Sequence, residues 1–80
     1  MRLDKFLKVS RLIKRRTVAN EATDKGRVNV NGKQAKPSRQ IKKGDIITIE
    51  GRNSLSVKVL KVPEGNISVQ EAFSLYEIIE

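Results

Sequence analysis

The sequence predicts a single α+β domain, with two short N-terminal helices packed on a small antiparallel sheet and a short C-terminal helix closing the chain. Three observations predict it. Apolar residues recur at helical spacing near both ends, period-two segments fill the middle, and Asn31-Gly32 and Gly26 stand where a hairpin and a helix stop are needed. With only 80 residues, the chain can bury one modest core. A composition of 38% hydrophobic and 32% charged residues is that of a folded domain rather than a disordered tail.

The first helix is expected over residues 2–9, where Leu3, Phe6 and Leu7 make one apolar stripe. Lys5 and Lys8 fall opposite Leu3, and Asp4 suits the positive helix end and can pair with Lys8 four residues on. A second helix is expected over about residues 16–25, with Thr17 in its first turn and Val18, Ala19 and Ala22 facing inward. Gly26 ends it, because glycine adopts the left-handed backbone there at low cost.

Strands follow. Arg27 to Val30 alternates, Asn31-Gly32 is the strongest short hairpin signal, and Lys33 to Ala35 starts the return before Pro37 ends it. Ile46 to Ile49 is a β-branched strand entered through the Lys42–Asp45 turn. After a turn over Gly51–Ser54, Ser56 to Val62 is a further strand with Val57 and Val59 on one face, and Pro63 to Asn66 breaks the sheet. Ser68 and Glu71 form a capping box, and Val69, Ala72, Phe73 and Tyr76 follow helical spacing, which predicts a C-terminal helix of at most three turns.

Charge supplies the functional clue. Residues 1–44 hold 14 of the 17 Lys and Arg but only three of the nine acids, whereas residues 45–80 are net acidic. A charge serving solubility alone would not segregate in this way, so one half of the molecule faces a polyanion. Lys14-Arg15-Arg16 sits at the start of the second helix, where like charges oppose the helix dipole and backbone N–H groups favour a phosphate.

Absences narrow the chemistry. With no His and no Cys, the common zinc sites, thiol nucleophiles and imidazole bases are missing, and no acidic pair stands out, so catalysis is not expected and no cofactor is called for. No apolar run approaches the roughly 18–20 residues that span a bilayer, and a cysteine-free chain fits a reducing compartment, so a cytoplasmic location is expected. Phe6, Phe73 and Tyr76 are the only aromatic residues, too few for a base-stacking platform, which favours folded RNA held through phosphates and shape. Duplex DNA is disfavoured, because Asn20, Glu21, Thr23 and Asp24 would line the recognition helix.

Four blocks in order carry a family resemblance: Arg2-Leu3-Asp4-Lys5-Phe6-Leu7, Lys14-Arg15-Arg16-Thr17, Gly26-Arg27-Val28-Asn29-Val30-Asn31-Gly32 and Lys43-Gly44-Asp45. Together they resemble the RNA-binding domain named after small-subunit ribosomal protein S-four, over about residues 1–50. The resemblance implies an alpha-L fold, two helices on a small bent sheet, with structured RNA bound across the helices and first hairpin. Residues 51–80 would complete the same domain.

Lys36-Pro37-Ser38 and the segment Glu71 to Glu77 resemble the heat-shock-protein-fifteen branch, and the opening Met1 to Arg16 is still more similar to its small Gram-positive RqcP family. That similarity implies binding to stalled large ribosomal subunits, through their rRNA and the tRNA in the peptidyl site. It also implies support of C-terminal alanine tailing alongside the tailing factor, by a ribosome-associated monomer away from membranes. Transferred by matching position, the RNA-binding residues would be Arg2, Asp4, Lys5, Arg15, Arg16, Thr17, Asn31, Lys33, Lys36 and Ser38. The long basic tail of the heat-shock protein has no counterpart before Glu80, which favours the shorter relative. The alternatives are an RNA-binding appendage of an rRNA-modifying enzyme, such as a pseudouridine synthase, and a DNA-binding regulator.

Overall fold

Leu3, Phe6 and Leu7 have no solvent exposure, and the fold is built outward from them. The computed structural model describes residues 1–51, 54–64 and 67–79. In chain order the elements are α1 (Leu3–Val9), α2 (Arg16–Asp24), β1 (Val28–Val30), β2 (Lys33–Gln34), β3 (Ile46–Ile49), β4 (Leu55–Val59), α3 (Val69–Ala72) and β5 (Tyr76–Ile78). The strands form one antiparallel sheet in the order β2-β1-β3-β4-β5.

Alternation decides which face of the sheet the helices cover. Val28 pairs with Ile49 and Val30 with Ile47, while Ile47 pairs with Val57, so these side chains share the inner face. Asn29, Thr48 and Ser56 fall on the other face, where the Thr48 and Ser56 hydroxyls lie 3.0 Å apart. The inner valines and isoleucine join Leu3, Phe6, Leu7, Ala19 and Leu75 in one core cluster. Burial of each large side chain there contributes about 1.5–3 kcal/mol.

The helix stop and the hairpin follow their sequence signals. Gly26 has φ +76°, its N–H donates to Thr23 O and the Arg27 N–H to Ala22 O, which is the double hydrogen bond of a Schellman cap. Asn31 and Gly32 both have positive φ, as a type I′ hairpin turn requires. A Cβ at residue 26 would also collide with the Gln34 side chain. Gly26→Ala is therefore expected to cost about 1–2 kcal/mol, read as a lower urea midpoint at unchanged slope.

Several expectations need correction. The C-terminal helix is a single turn, α3, and the chain then becomes β5, with Val57 opposite Ile78 and Val59 opposite Tyr76. The Ser68 hydroxyl does accept from the Glu71 N–H at 3.2 Å. Ser74 then ends the helix, because its hydroxyl and its N–H both take the Glu71 carbonyl. Burial of Leu75 and pairing with the open edge of β4 outweigh the helical spacing, which would have buried Val69 and Phe73; these stand 49% and 63% exposed. The strand expected over Ser56–Val62 runs Leu55–Val59. Arg52 and Asn53 of the expected turn, and Gly65 and Asn66 of the expected break, lie outside the described residues.

In α2 the inward face is Ala19 and Thr23, with Ala22 partly buried against the core, and not Val18, which is 46% exposed. Thr23 is buried because its hydroxyl is satisfied within the helix, by Ala19 O at 3.1 Å and Asn20 O at 2.8 Å. Asn20 and Thr23 are therefore not outer residues, as the recognition-helix comparison took them to be. Asp4 does not pair with Lys8, because its carboxylate turns toward α2.

Candidate nucleic-acid interface

Asp4 is the organising residue of the basic surface. It is buried to 1% exposure in the first turn of α1. A lone carboxylate there would be costly, and this one is fully partnered. Oδ1 accepts from Arg2 Nε at 3.2 Å and from the Lys5 backbone N–H at 2.8 Å. Oδ2 accepts from Arg16 Nε at 3.3 Å and Asn20 Nδ2 at 3.1 Å. Arg16 and Asn20 reach it together because they are four residues apart on one face of α2.

The two guanidinium side chains remain 47% and 48% exposed while the carboxylate between them is hidden. Asp4 thus fixes the direction of two cations and leaves their outer N–H groups facing solvent. Burial pushes the Asp4 carboxyl up, but the Arg16 hydrogen bond and charge, the Lys5 N–H and the Arg2 charge outweigh it. The net pKa lies below the ordinary 3.8.

The segment after β2 brings further residues to the same place. Leu3 N–H donates to Arg39 O at 2.7 Å and Asp4 N–H to Pro37 O at 3.1 Å, while Ile41 N–H donates to Met1 O at 2.8 Å. The Arg39 and Pro37 carbonyls satisfy two of the N–H groups left unpaired at the start of α1, which has no side-chain cap. Docked in this way, the segment forms one wall of a groove of about 510 Å³ whose lining includes Arg2, Asn20, Thr23, Asp24, Gln34, Lys36 and Ser38.

The candidate residues therefore separate into places. Arg2, Asp4 and Arg16 form one cluster, and Arg2, Lys36 and Ser38 share the groove. Arg15 and Thr17 are exposed at the entry to α2. Lys5 is half-buried and borders a separate depression with Met1, Val62, Pro63 and Glu64. Lys33 is exposed on the edge strand β2. Asn31 uses its amide internally: Nδ2 donates to Asp45 Oδ1 at 3.1 Å and Oδ1 accepts from the Ile46 N–H at 2.9 Å, which ties the hairpin to β3. Neither Asn20 nor Gln34 is among the RNA-binding residues expected from sequence. The spacing of Asn20 from Arg16 was the available signal, whereas Gln34 carries none.

Residues 1–47 match the S4 domain. The chain belongs to the S4 domain family. Its S4 region holds α1, α2, the first hairpin and the groove, and its boundary falls within β3. Over its full length the chain is 48% identical to the RQC P-site tRNA stabilizing factor of Bacillus subtilis, covering 93% of that protein. It is 52% identical to the Streptococcus pneumoniae protein of that name, across 99% of this chain and 90% of the relative. Among solved structures, heat shock protein 15 of Vibrio cholerae superposes with a TM-score of 0.89 at 33% identity, across 98% of this chain and 80% of that one. An S4 domain with its sheet completed by β4 and β5 is thus the shared architecture.

Among the described residues, no helix is long and apolar enough to cross a membrane.

Proposed function

We propose that this chain is a non-catalytic RNA-binding factor that holds the tRNA in the peptidyl site of stalled large ribosomal subunits. The observation that carries the RNA reading is the buried Asp4 carboxylate, which fixes two half-exposed guanidinium groups beside a groove that also takes Lys36. A planar guanidinium presents paired N–H donors to a phosphate, and a buried orienting partner reduces the entropy lost on binding. The ribosomal target is supported by near-half identity, across the whole chain, to proteins named for stabilising P-site tRNA.

On this reading Arg2, Arg16, Lys36 and Ser38 contact RNA in and beside the groove, and Arg15 and Thr17 extend the contact at the start of α2. Lys33 reaches it from the hairpin, and Lys5 from the opposite flank of α1. Asp4 and Asn31 act by holding the surface in shape. The partners are large-subunit rRNA and peptidyl-site tRNA, on the particle where the alanine-tailing factor works, and the location is cytoplasmic and ribosome-associated.

The deciding experiment is purification of the tagged protein from cells, followed by sequencing of the bound RNA. Recovery of large-subunit rRNA together with tRNA is expected. Recovery of the protein without either would overturn the reading.

A further inference from the structure

Lys8, Arg11 and Lys14 lie outside the groove, and none of them is among the RNA contacts proposed above. They surround a second depression, of about 340 Å³, whose remaining lining residues are Val9 and Ile67. It shares no lining residue with the groove holding Arg2 and Lys36. The two lie toward opposite ends of α1, which at seven residues is about 10 Å long.

Arg11 occupies an unfavourable backbone position. Ser10 is the C-cap of α1, and the next residue turns left-handed, with φ 65° and its N–H donating to Lys8 O at 3.0 Å. Glycine serves this position without penalty, and any Cβ there crowds the backbone. The helix C-terminus does favour a nearby cation, but Lys8 in the last turn already answers that need. Arg11 and Lys14 add like charge to the same depression, whose lining residues include no acid. Among the described residues, both salt bridges belong to Asp4, so neither involves these three. Three cations gathered on one concave surface concentrate the field on an anion.

We infer that Lys8, Arg11 and Lys14 bind a backbone phosphate of RNA, a second contact surface separate from the Arg2–Arg16 groove. The inference rests on the RNA-binding reading above and adds a site to it. The phosphate belongs to either rRNA or tRNA, and the two arms of the test tell them apart.

Arg11→Gly separates function from folding, because the substitution relieves the left-handed backbone while removing the cation. Binding to purified large subunits is measured with and without peptidyl-site tRNA over a salt series, beside thermal melts. The expected result is a raised Tm with affinity lowered about fivefold at 0.15 M salt, and a log–log salt slope flattened by about 0.7–0.9. Lys8→Ala/Lys14→Ala, which leaves that backbone untouched, should lower affinity and flatten the slope in the same sense. Loss in both arms assigns the phosphate to rRNA, and loss only when tRNA is present assigns it to tRNA. Unchanged affinity and slope in both variants, while Arg16→Ala still weakens binding, would overturn this site alone. Failure of the unsubstituted protein to bind either particle would overturn the parent reading and this site with it.

Discussion

Asp4→Lys is expected to destabilise the domain by about 3–5 kcal/mol, because it buries a cation between Arg2 and Arg16 where a carboxylate had compensated both. An 80-residue domain has about 4–12 kcal/mol to lose, so a substantial unfolded fraction at 37 °C is expected in thermal or urea unfolding. Asp4→Asn is the milder companion. It keeps the side-chain shape but removes the charge and replaces one accepting oxygen with an NH2 donor that faces two N–H donors, and should cost about 1–3 kcal/mol. The same pair of proteins tests a pH dependence. The folded-state pKa of Asp4 is depressed below 3.8, so its stabilisation is complete above about pH 4 and is lost as pH falls through the lowered value. Asp4→Asn should therefore show a shallower loss of stability between pH 4 and pH 2 than the unsubstituted protein. Equal acid limbs would show that the carboxylate is not held in this environment.

The two N-terminal helices and the first hairpin were legible because their signals are local. The Leu3–Phe6–Leu7 stripe, Gly26 and Asn31-Gly32 each specify structure through neighbours within a few residues. Asp4 was legible only as a helix-end acid. Two of its partners, Arg16 and Asn20, lie twelve and sixteen residues away in sequence, and their meeting depends on how α1 crosses α2. The groove was hidden for a similar reason, since its wall exists because the Pro37 and Arg39 carbonyls cap α1. The tail misled because a period-3.6 pattern over eight residues is weak evidence beside an unpaired strand edge. Leu75 and Tyr76 gain more by joining β4 than a marginal helix would return.

Arg2→Ala and Arg16→Ala are each expected to weaken RNA binding about fivefold at 0.15 M salt, the electrostatic contribution of one phosphate contact, and the double substitution about 25-fold. Stability should respond differently. Each guanidinium is about half exposed, so either single change should cost no more than about 1 kcal/mol. Together they strip Asp4 of both cations and leave a buried carboxylate on the Lys5 N–H and Asn20 alone, so the double variant should lose more than the sum of the singles. A thermodynamic cycle in urea reads that excess directly, and simple additivity would argue that Asp4 is reached by water. Orientation and charge are then distinguishable. Asp4→Asn leaves both arginines in place, so its salt slope should match that of the unsubstituted protein while its affinity falls through lost preorganisation. The alanine variants should instead lose about 0.7–0.9 of slope for each contact removed. If Asp4→Asn flattens the slope as the alanine variants do, the carboxylate does more than orient, because fewer phosphates would then be engaged without it.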